Sequence, residues 1–265
     1  MRFALSDEQT QFASVLHDFL AAGHRDLSRI GVTDVTDPAD LVVVFDELGD
    51  HAVPGPLIES IAVTPALGVS PGSIAFPPHM PYAVEASRYY LVEGTTLREA
   101  LPGTPLSSVD PSRRLFELVG GDVIATGIPD VFDLGVLACA AQLLGLGRAM
   151  LELACSHARV RTQFGKPIGS FQAVKHQLAD VLIGLELARP LVFGAAVTLA
   201  TRDVSAAKVA AGDAAQRAAR AALQVHGAIG YTAEHPLGQF LLRTRALVSA
   251  WGSQSLHRAR VLEAL

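Results

Sequence analysis

The segment Arg161-Thr162-Gln163-Phe164-Gly165-Lys166-Pro167-Ile168, followed by Phe171-Gln172, decides the fold. It interrupts a long helical pattern, and its arginine taken alone could simply cap the last carbonyl groups of a helix. A second segment, Gln224-Val225-His226-Gly227-Ala228-Ile229-Gly230-Tyr231, follows another helical run, and its glycines alone could simply end that helix. Both segments place Gly, Arg and amide side chains where a helix bundle does not need them, so the pair indicates a binding site.

The sequence around these segments predicts a helix bundle. After Pro129 the apolar periodicity indicates four long helices at about 131–161, 170–200, 205–226 and 236–263. Alanines recur at i and i+4 between Ala206 and Ala219, and small side chains in such rows let neighbouring helices approach closely. A C-terminal four-helix bundle is therefore expected.

The N-terminal half has two different textures. Ser6 and Gln9 have capping-box spacing ahead of an apolar pattern, which predicts a helix over 6–21, and further helices are expected from Asp37 to Gly49 and over 57–67. Between 69 and 130, prolines and glycines separate short β-prone runs, with room for four or five strands. The predicted fold is mainly α with a small β segment, in three regions: 1–68, 69–130 and 131–265.

Composition excludes some classes of function. The 265 residues carry a net charge of −5, so the basic surface of a nucleic-acid-binding protein is absent. Cys139 and Cys155 show neither disulfide nor metal-ligand spacing, and we interpret both as buried thiols and predict no metal site. No signal-peptide pattern and no uninterrupted apolar span are evident, so we expect a cytoplasmic protein without membrane contact.

Taken together, these segments resemble the acyl-CoA dehydrogenase family. The order and spacing of Arg-x-x-Phe-Gly, Phe-Gln and the glycine-containing segment after Gln224 are similar to those of the family's C-terminal bundle. The likeness extends to Leu5-Ser6-Asp7-Glu8-Gln9, Glu47-Leu48-Gly49 and Asp110-Pro111-Ser112-Arg113-Arg114-Leu115. It implies that the chain has the acyl-CoA dehydrogenase fold, with a shortened N-terminal helical domain and a truncated middle β domain.

The resemblance also implies FAD as the cofactor, with the bundle segments reaching the ADP half of an FAD whose flavin ring lies in a neighbouring subunit. Arginine provides a planar, permanently charged donor for phosphate, amides can bind adenosine-side groups, and a glycine lets backbone approach the diphosphate. Ala228 stands where the family has its second glycine. The predicted cofactor-binding residues are Arg161, Gln163, Phe164, Gln172, Gln224, Gly227 and Ala228.

Two other features have ordinary structural interpretations. His157 stands where the family usually has tyrosine, and we interpret it as a packed helix residue. The glycines of Gly145-Leu146-Gly147 lie within a helical run with no preceding strand, so they do not fit a dinucleotide-binding turn.

The expected catalytic base is missing. In most of the family a glutamate followed by Gly and Thr or Ser removes the α-proton of the acyl-CoA, and the matching stretch here is Ala250-Trp251-Gly252-Ser253-Gln254. A minority of the family places the glutamate on the first bundle helix, at a position that corresponds to Gly135. The Thr-Glu-Pro-x-x-Gly-Ser-Asp segment that holds the flavin ring is also absent, so we predict no catalytic residue in this chain.

The sequence favours the smaller subunit of an α2β2 acyl-CoA dehydrogenase, similar to those that actinobacteria use on steroid-derived thioesters. A larger homologue would supply the flavin-ring pocket and the glutamate, acyl-CoA would be the substrate, and an electron-transfer flavoprotein or similar protein would accept the electrons. Two alternatives stay open. One is a self-sufficient homo-oligomeric flavoprotein using Asp133, Glu234 or a histidine as base, and the other is a cofactor-free scaffolding or regulatory subunit.

Overall fold

Two N-terminal helices begin where the sequence predicts them. In the computed structural model, which describes residues 5–232 and 234–265, α1 (Asp7–Ala21) carries a complete capping box between Ser6 and Gln9. Helix α2 (Pro38–Asp50) begins after Asp37, whose carboxylate accepts hydrogen bonds from the first backbone N–H groups of the helix. The third predicted helix is a π-helical segment, Ile58–Val63, continued by the short α3 (Thr64–Ala66).

A five-stranded sheet follows, with the strand order β1-β3-β4-β5-β2. Strands β1 and β3 are parallel, and the other pairs are antiparallel. The strands are β1 (Ser73–Ala75), β2 (Tyr82–Val84), β3 (Tyr89–Glu93), β4 (Thr96–Leu106) and β5 (Leu115–Thr126). One small sheet beside many helices confirms the predicted mainly α fold class.

The C-terminal bundle has three long helices and a divided fourth position. The bundle helices are α4 (Phe132–Val160), α5 (Gln172–Thr198), α6 (Thr201–His226), α7 (Leu237–Ser249) and α8 (Gln254–Glu263). The single fourth helix predicted over 236–263 was wrong, because the chain breaks at Ala250–Ser253, where Trp251 has a φ of 57°. Leu199, with a φ of 47°, forms the turn between α5 and α6. As a result, α6 begins four residues earlier than predicted.

Helices α2 and α4 cross at backbone contact. A Cβ built on Gly145 would lie 1.8 Å from the carbonyl oxygen of Asp46, and one on Gly49 would lie 2.2 Å from that of Gln142. The neighbouring Gly147 similarly faces Leu185 of α5 and Ala215 of α6. The glycines of Gly145-Leu146-Gly147 therefore serve helix packing, in agreement with the rejection of a dinucleotide-binding turn.

A buried arginine connects the bundle to both other regions. The Nε of Arg243 on α7 donates to the Asp110 carboxylate, and its Nη1 donates to the Val53 carbonyl oxygen at 2.6 Å. Asp110 also accepts from the backbone N–H of Ser112 at 3.0 Å. The Asp-Pro-Ser segment thus fixes the sheet region against α7.

Two helices, α4 and α5, are long and apolar enough to cross a membrane by length and composition, which is weak evidence because core helices share these properties. The most apolar window of α4 is 83% buried inside the protein, but that of α5 is only 33% buried. Apolar side chains of α5 are exposed to solvent in the single chain: Leu182, Ile183, Leu187, Leu191 and Val197. The cysteine prediction was half right, since Cys139 is buried and Cys155 is partly exposed.

Substituting Gly145→Ala should lower the free energy of unfolding by about 1–3 kcal/mol or more, because the new methyl group collides with the backbone of α2. Gly238→Ala is the matched control, since a Cβ on this α7 glycine meets nothing within 4 Å. The control should be neutral or stabilising by up to about 1 kcal/mol. Urea unfolding followed by circular dichroism measures both, and equal stabilities would contradict the close helix crossing.

Candidate functional site

The first motif forms a β-hairpin at one end of the bundle. After α4, strand β6 (Thr162–Gln163) pairs with β7 (Lys166–Pro167). The two turn residues, Phe164 and Gly165, have φ angles of 51° and 75°, as a tight type I′ turn requires. The Phe164 ring is 90% exposed and its centroid lies 6.1 Å from that of Phe171. The hairpin therefore projects an aromatic side chain from the bundle.

The second motif ends α6 with an open glycine turn. Gly227 has a φ of 61° and a ψ of −138°, a conformation that a residue with a Cβ disfavours. A Cβ built there would meet nothing within 4 Å, so the backbone faces open space. A 3-10 turn, Gly227–Tyr231, follows and leaves Ala228 exposed.

Stacked histidines bring the two motifs together. The rings of His157 on α4 and His226 on α6 stack with centroids 4.5 Å apart, and His235 contacts His226 edge-on at 4.6 Å. Partial burial lowers the pKa of His157, and the neighbouring His226 and Arg161 lower it further. His157 is thus a packed residue, as the sequence predicts. The contribution of His226 and His235 had no sequence signal, because the contact depends on tertiary structure.

All seven residues predicted to bind the cofactor lie at this end of the bundle, on the last turns of α4 and α6, the hairpin and the start of α5. Six are exposed and Gly227 is half-buried: Arg161, Gln163, Phe164, Gln172, Gln224, Gly227 and Ala228. Within the described residues, no carboxylate lies at ion-pair distance from Arg161. Its guanidinium is therefore available to an external anion. Ligand binding by the seven residues stays a prediction.

A separate cavity of about 490 Å³ lies between the sheet region and the α7–α8 junction. Its wall contains Arg113, Arg245 and three residues around the helix break, Ser249, Ala250 and Ser253. No aspartate or glutamate is among the described residues that line it. The sequence gave no reason to single out Arg113 or Arg245 as cavity residues, since isolated arginines usually lie on the surface.

Trp251 fills the space where the family places its catalytic carboxylates. It directly precedes Gly252-Ser253, the place of the usual glutamate in the resemblance, and its side chain is completely buried. A Cβ built on Gly135, the alternative position, would lie 2.2 Å from the Trp251 ring. The rings of Phe76 and Phe132 lie 5.6 Å and 5.8 Å from it. Both base positions therefore converge on one aromatic cluster.

The carboxylates considered as substitutes lie elsewhere. Asp133 forms an ion pair with Arg260 at 2.7 Å and accepts a hydrogen bond from the Thr201 hydroxyl at 2.8 Å. Glu234 is exposed in the turn before α7. Glu59, which the sequence did not single out, is buried, and burial raises its pKa against the effect of Arg113. None of the three lines the 490 Å³ cavity.

The helices, the sheet and the two motifs define an acyl-CoA dehydrogenase fold. Among solved structures, the ChsE4-ChsE5 complex from Mycobacterium tuberculosis matches with a TM-score of 0.82 and 19% identity, over 99% of this chain and 98% of the other. A Tcur3481-Tcur3483 steroid acyl-CoA dehydrogenase variant matches with a TM-score of 0.77 and 19% identity, over 97% of each chain. At these identities the likeness is one of fold.

Sequence comparison shows the family. Residues 128–265 match the model of the acyl-CoA dehydrogenase C-terminal domain. Acyl-CoA dehydrogenase IpdE2 of Mycobacterium tuberculosis (strain ATCC 25618 / H37Rv) is 30% identical over 227 residues, which span 77% of this chain and 71% of that relative. The chain belongs to the acyl-CoA dehydrogenase family, as the resemblance implied.

FAD is the cofactor of this family, and the end of the bundle fits part of it. Gly227 leaves open space beside its backbone, and Arg161 has no described acidic partner. A guanidinium and unobstructed backbone N–H groups are suitable donors for phosphate oxygens. The Trp251 cluster, in contrast, contains no flexible polar group that could be exchanged for a reacting carboxylate.

Stability should depend on pH through His257, which holds the carbonyl oxygen of Trp251 at 2.8 Å. Burial lowers the pKa of His257 from 6.5 to about 4, so the unfolded chain binds more protons between these values. Stability from this group is therefore complete above pH 6.5 and falls by about 1.4 kcal/mol per unit as the pH decreases toward 4. His257→Gln should remove this slope.

The measurement is the difference in unfolding free energy between the wild type and His257→Gln, at about pH 7 and about pH 5. A difference is needed because burial raises the pKa of Asp46 to about 6, which gives a slope of opposite sign. His176→Gln, on an exposed histidine of α5, is the control and should leave the slope unchanged. A difference that does not vary with pH would contradict a buried neutral His257.

Proposed function

We propose that this chain is the smaller subunit of a heteromeric, FAD-dependent acyl-CoA dehydrogenase, in an α2β2 assembly with a larger homologue. In this proposal the chain binds the ADP half of FAD, and the partner supplies the flavin-ring pocket and the catalytic glutamate. The observation that carries the proposal is the Trp251 ring packed onto Gly135, which leaves no room for a carboxylate at the family's alternative position.

The ADP-binding role is supported by the geometry of the bundle end. The His157–His226 stack holds the helix that precedes Arg161 beside the helix that precedes Gly227. Arg161 would bind phosphate oxygens, and the backbone at Gly227 would approach the diphosphate without obstruction. Gln172 and Gln224 would donate or accept hydrogen bonds at the adenosine side, and the exposed methyl group of Ala228 points away from its own helix packing.

The need for a partner is supported by helix α5. Leu187, at 67% exposure, and Val197, at 65%, belong to the exposed apolar row on this helix. Contiguous apolar surface of this kind is typical of a subunit interface. Because α5 begins directly after the hairpin, a homologous subunit docked on α5 would also lie close to Arg161 and Phe164.

The chemistry would be shared between the subunits. FAD, when bound, accepts the β-hydrogen of the acyl-CoA as hydride. In this chain Arg161 would neutralise phosphate charge, and the Phe76–Phe132–Trp251 cluster would exclude water from the wall beneath the acyl group. Arg113 and Arg245 give the cavity a positive wall that suits the anionic CoA part of the substrate.

The substrate, acceptor and location are proposed on likeness. The steroid acyl-CoA dehydrogenase among the structural matches suggests a bulky steroid-derived acyl-CoA. An electron-transfer flavoprotein or a similar protein would be the electron acceptor. A cytoplasmic location without membrane or nucleic-acid contact stays a prediction.

The two alternatives make different demands on the chain. A self-sufficient homo-oligomer needs a base of its own, yet Asp133 is paired with Arg260 and Glu234 lies outside the cavity wall. A cofactor-free scaffold does not require Arg161 to lack an acidic partner or Gly227 to face open space. Flavin content and turnover therefore separate the three models.

For the complex with a larger homologue, Arg161→Ala should weaken FAD binding roughly 10- to 100-fold, as expected for the loss of a charge-assisted hydrogen bond worth about 1.5–3 kcal/mol. Flavin absorbance after dialysis and titration of the apo-complex with FAD measure the change. Arg202→Ala, at the opposite end of the bundle, is the matched control and should keep the wild-type affinity. Unchanged affinity in Arg161→Ala would support the scaffold model instead.

Turnover of acyl-CoA by the complex should survive the double substitution Asp133→Asn and Glu234→Gln, whereas loss of a general base slows a reaction about 10²- to 10⁴-fold. The purified chain alone should neither retain stoichiometric FAD nor oxidise acyl-CoA. Circular dichroism checks that loss of the Asp133–Arg260 pair leaves the fold intact. Turnover by the chain without a partner would overturn the proposal.

A further inference from the structure

Four potential metal ligands converge where α1 packs on α2. The Nδ1 of His17 lies 3.0 Å from Oε2 of Glu47, 3.7 Å from Oδ2 of Asp50 and 3.2 Å from Nε2 of His51. One ligand atom from each residue lies within 4.8 Å of all the others. The members come from helices some 30 residues apart in sequence, so no local spacing revealed them.

Arg148 holds the two carboxylates in place from the opposite side. Its Nη2 donates to Oε1 of Glu47 at 2.9 Å, and its Nε donates to Oδ1 of Asp50 at 3.1 Å. Each carboxylate therefore binds arginine with one oxygen and presents the other to the histidines. Second-shell partners orient metal-binding carboxylates in this way. The close approach of α4 at Gly145 brings Arg148 to this position.

Protons alone do not satisfy the cluster. If both facing ring nitrogens of His17 and His51 carried a proton, two N–H groups would oppose each other at 3.2 Å. If only one carried a proton, that single hydrogen would face three acceptors, namely the other imidazole nitrogen, Glu47 Oε2 and Asp50 Oδ2. A cation placed among the four atoms would use all their lone pairs.

We propose that His17, Glu47, Asp50 and His51 bind one divalent transition-metal ion, with Zn²⁺ as the best match. Imidazole nitrogens and carboxylate oxygens are zinc ligands, at bond lengths near 2.1 Å, so neighbouring ligands in a tetrahedral site lie about 3.4 Å apart. The separations of 3.0, 3.2 and 3.7 Å measured from His17 bracket this value. A small rotation of the histidine side chains, which are less buried than Glu47, would close the site.

Access and charge also suit a cation. Asp50 and His51 line a cavity of about 510 Å³ that opens beside the cluster. Arg148 provides one positive charge against Glu47, Asp50 and also Asp46, which it contacts at 3.1 Å. Two further arginines lie near the edges of the cluster, Arg25 toward His51 and Arg189 toward Asp46. The facing oxygens of Glu47 and Asp50 still have no cationic partner on the histidine side among the described residues.

The metal would fasten α1 to the α2–α4 pair. Helix α1 otherwise depends on Leu16 and Leu20 in the core and on a hydrogen bond from Gln9 to Asp40 at 2.8 Å. His17 is its ligand in the cluster, so binding would couple the position of α1 to the Arg148 network. The site is distant in sequence from both cofactor motifs and does not depend on the proposed function.

Isothermal titration of the full-length chain with ZnCl₂ tests the proposal. We expect one Zn²⁺ per chain and a rise in the melting temperature on binding. The double variant His17→Ala/His51→Ala should weaken binding at least about 100-fold and abolish the rise. His176→Ala, which removes an exposed histidine from α5, is the matched control and should bind as the wild type does. Co²⁺ in place of Zn²⁺ should give the visible absorption bands of four-coordinate cobalt.

Unchanged zinc affinity in the double variant would overturn the proposal by placing the ion elsewhere, for example at His157, His226 and His235. Absence of binding to the wild type would overturn it as well. The single variant His17→Gln guards against misfolding, because its side chain is 47% exposed and the Arg148 pairs stay intact. It should lose the cobalt spectrum while its circular dichroism remains that of the wild type.

Discussion

The arrangement of the three regions depends on the buried guanidinium of Arg243. From α7 it bonds at once to Asp110 in the connection between β4 and β5 and to the Val53 carbonyl oxygen after α2. Removing one partner from a buried ion pair typically costs about 3–5 kcal/mol, because the other charge is left without compensation. Arg245 and Ala246, directly after this anchor, line the 490 Å³ cavity, so the same contact that joins the regions also sets the cavity wall.

Much of the fold could be predicted because its determinants are local. The Ser6–Gln9 capping box, the Asp37 cap and the alternation of turns and β-prone runs each act within a few residues, and the structure has the corresponding helices and strands. The two bundle motifs were also recognisable, because their residue types stand in a fixed order and spacing that the family shares.

The remaining features depend on contacts between distant residues. The break after α7 has no proline, and it follows from the burial of Trp251 in the hollow left by Gly135. Likewise, the Asp110–Arg243 pair spans 133 residues, and His157 meets His226 only when α4 and α6 lie side by side. Periodicity describes which face of a helix is apolar. It does not say which side chain on another helix will complete a polar cluster.

The packing of Trp251 makes the loss of a carboxylate hard to reverse in evolution. Gly135→Glu alone would drive the new side chain into the indole, since even a Cβ would lie 2.2 Å from it. Trp251→Glu alone would vacate the largest fully buried side chain and leave a charge among Phe76 and Phe132. Either route passes through a poorly folded ancestor, so reversion needs two coordinated changes, and selection would more readily preserve reliance on another polypeptide.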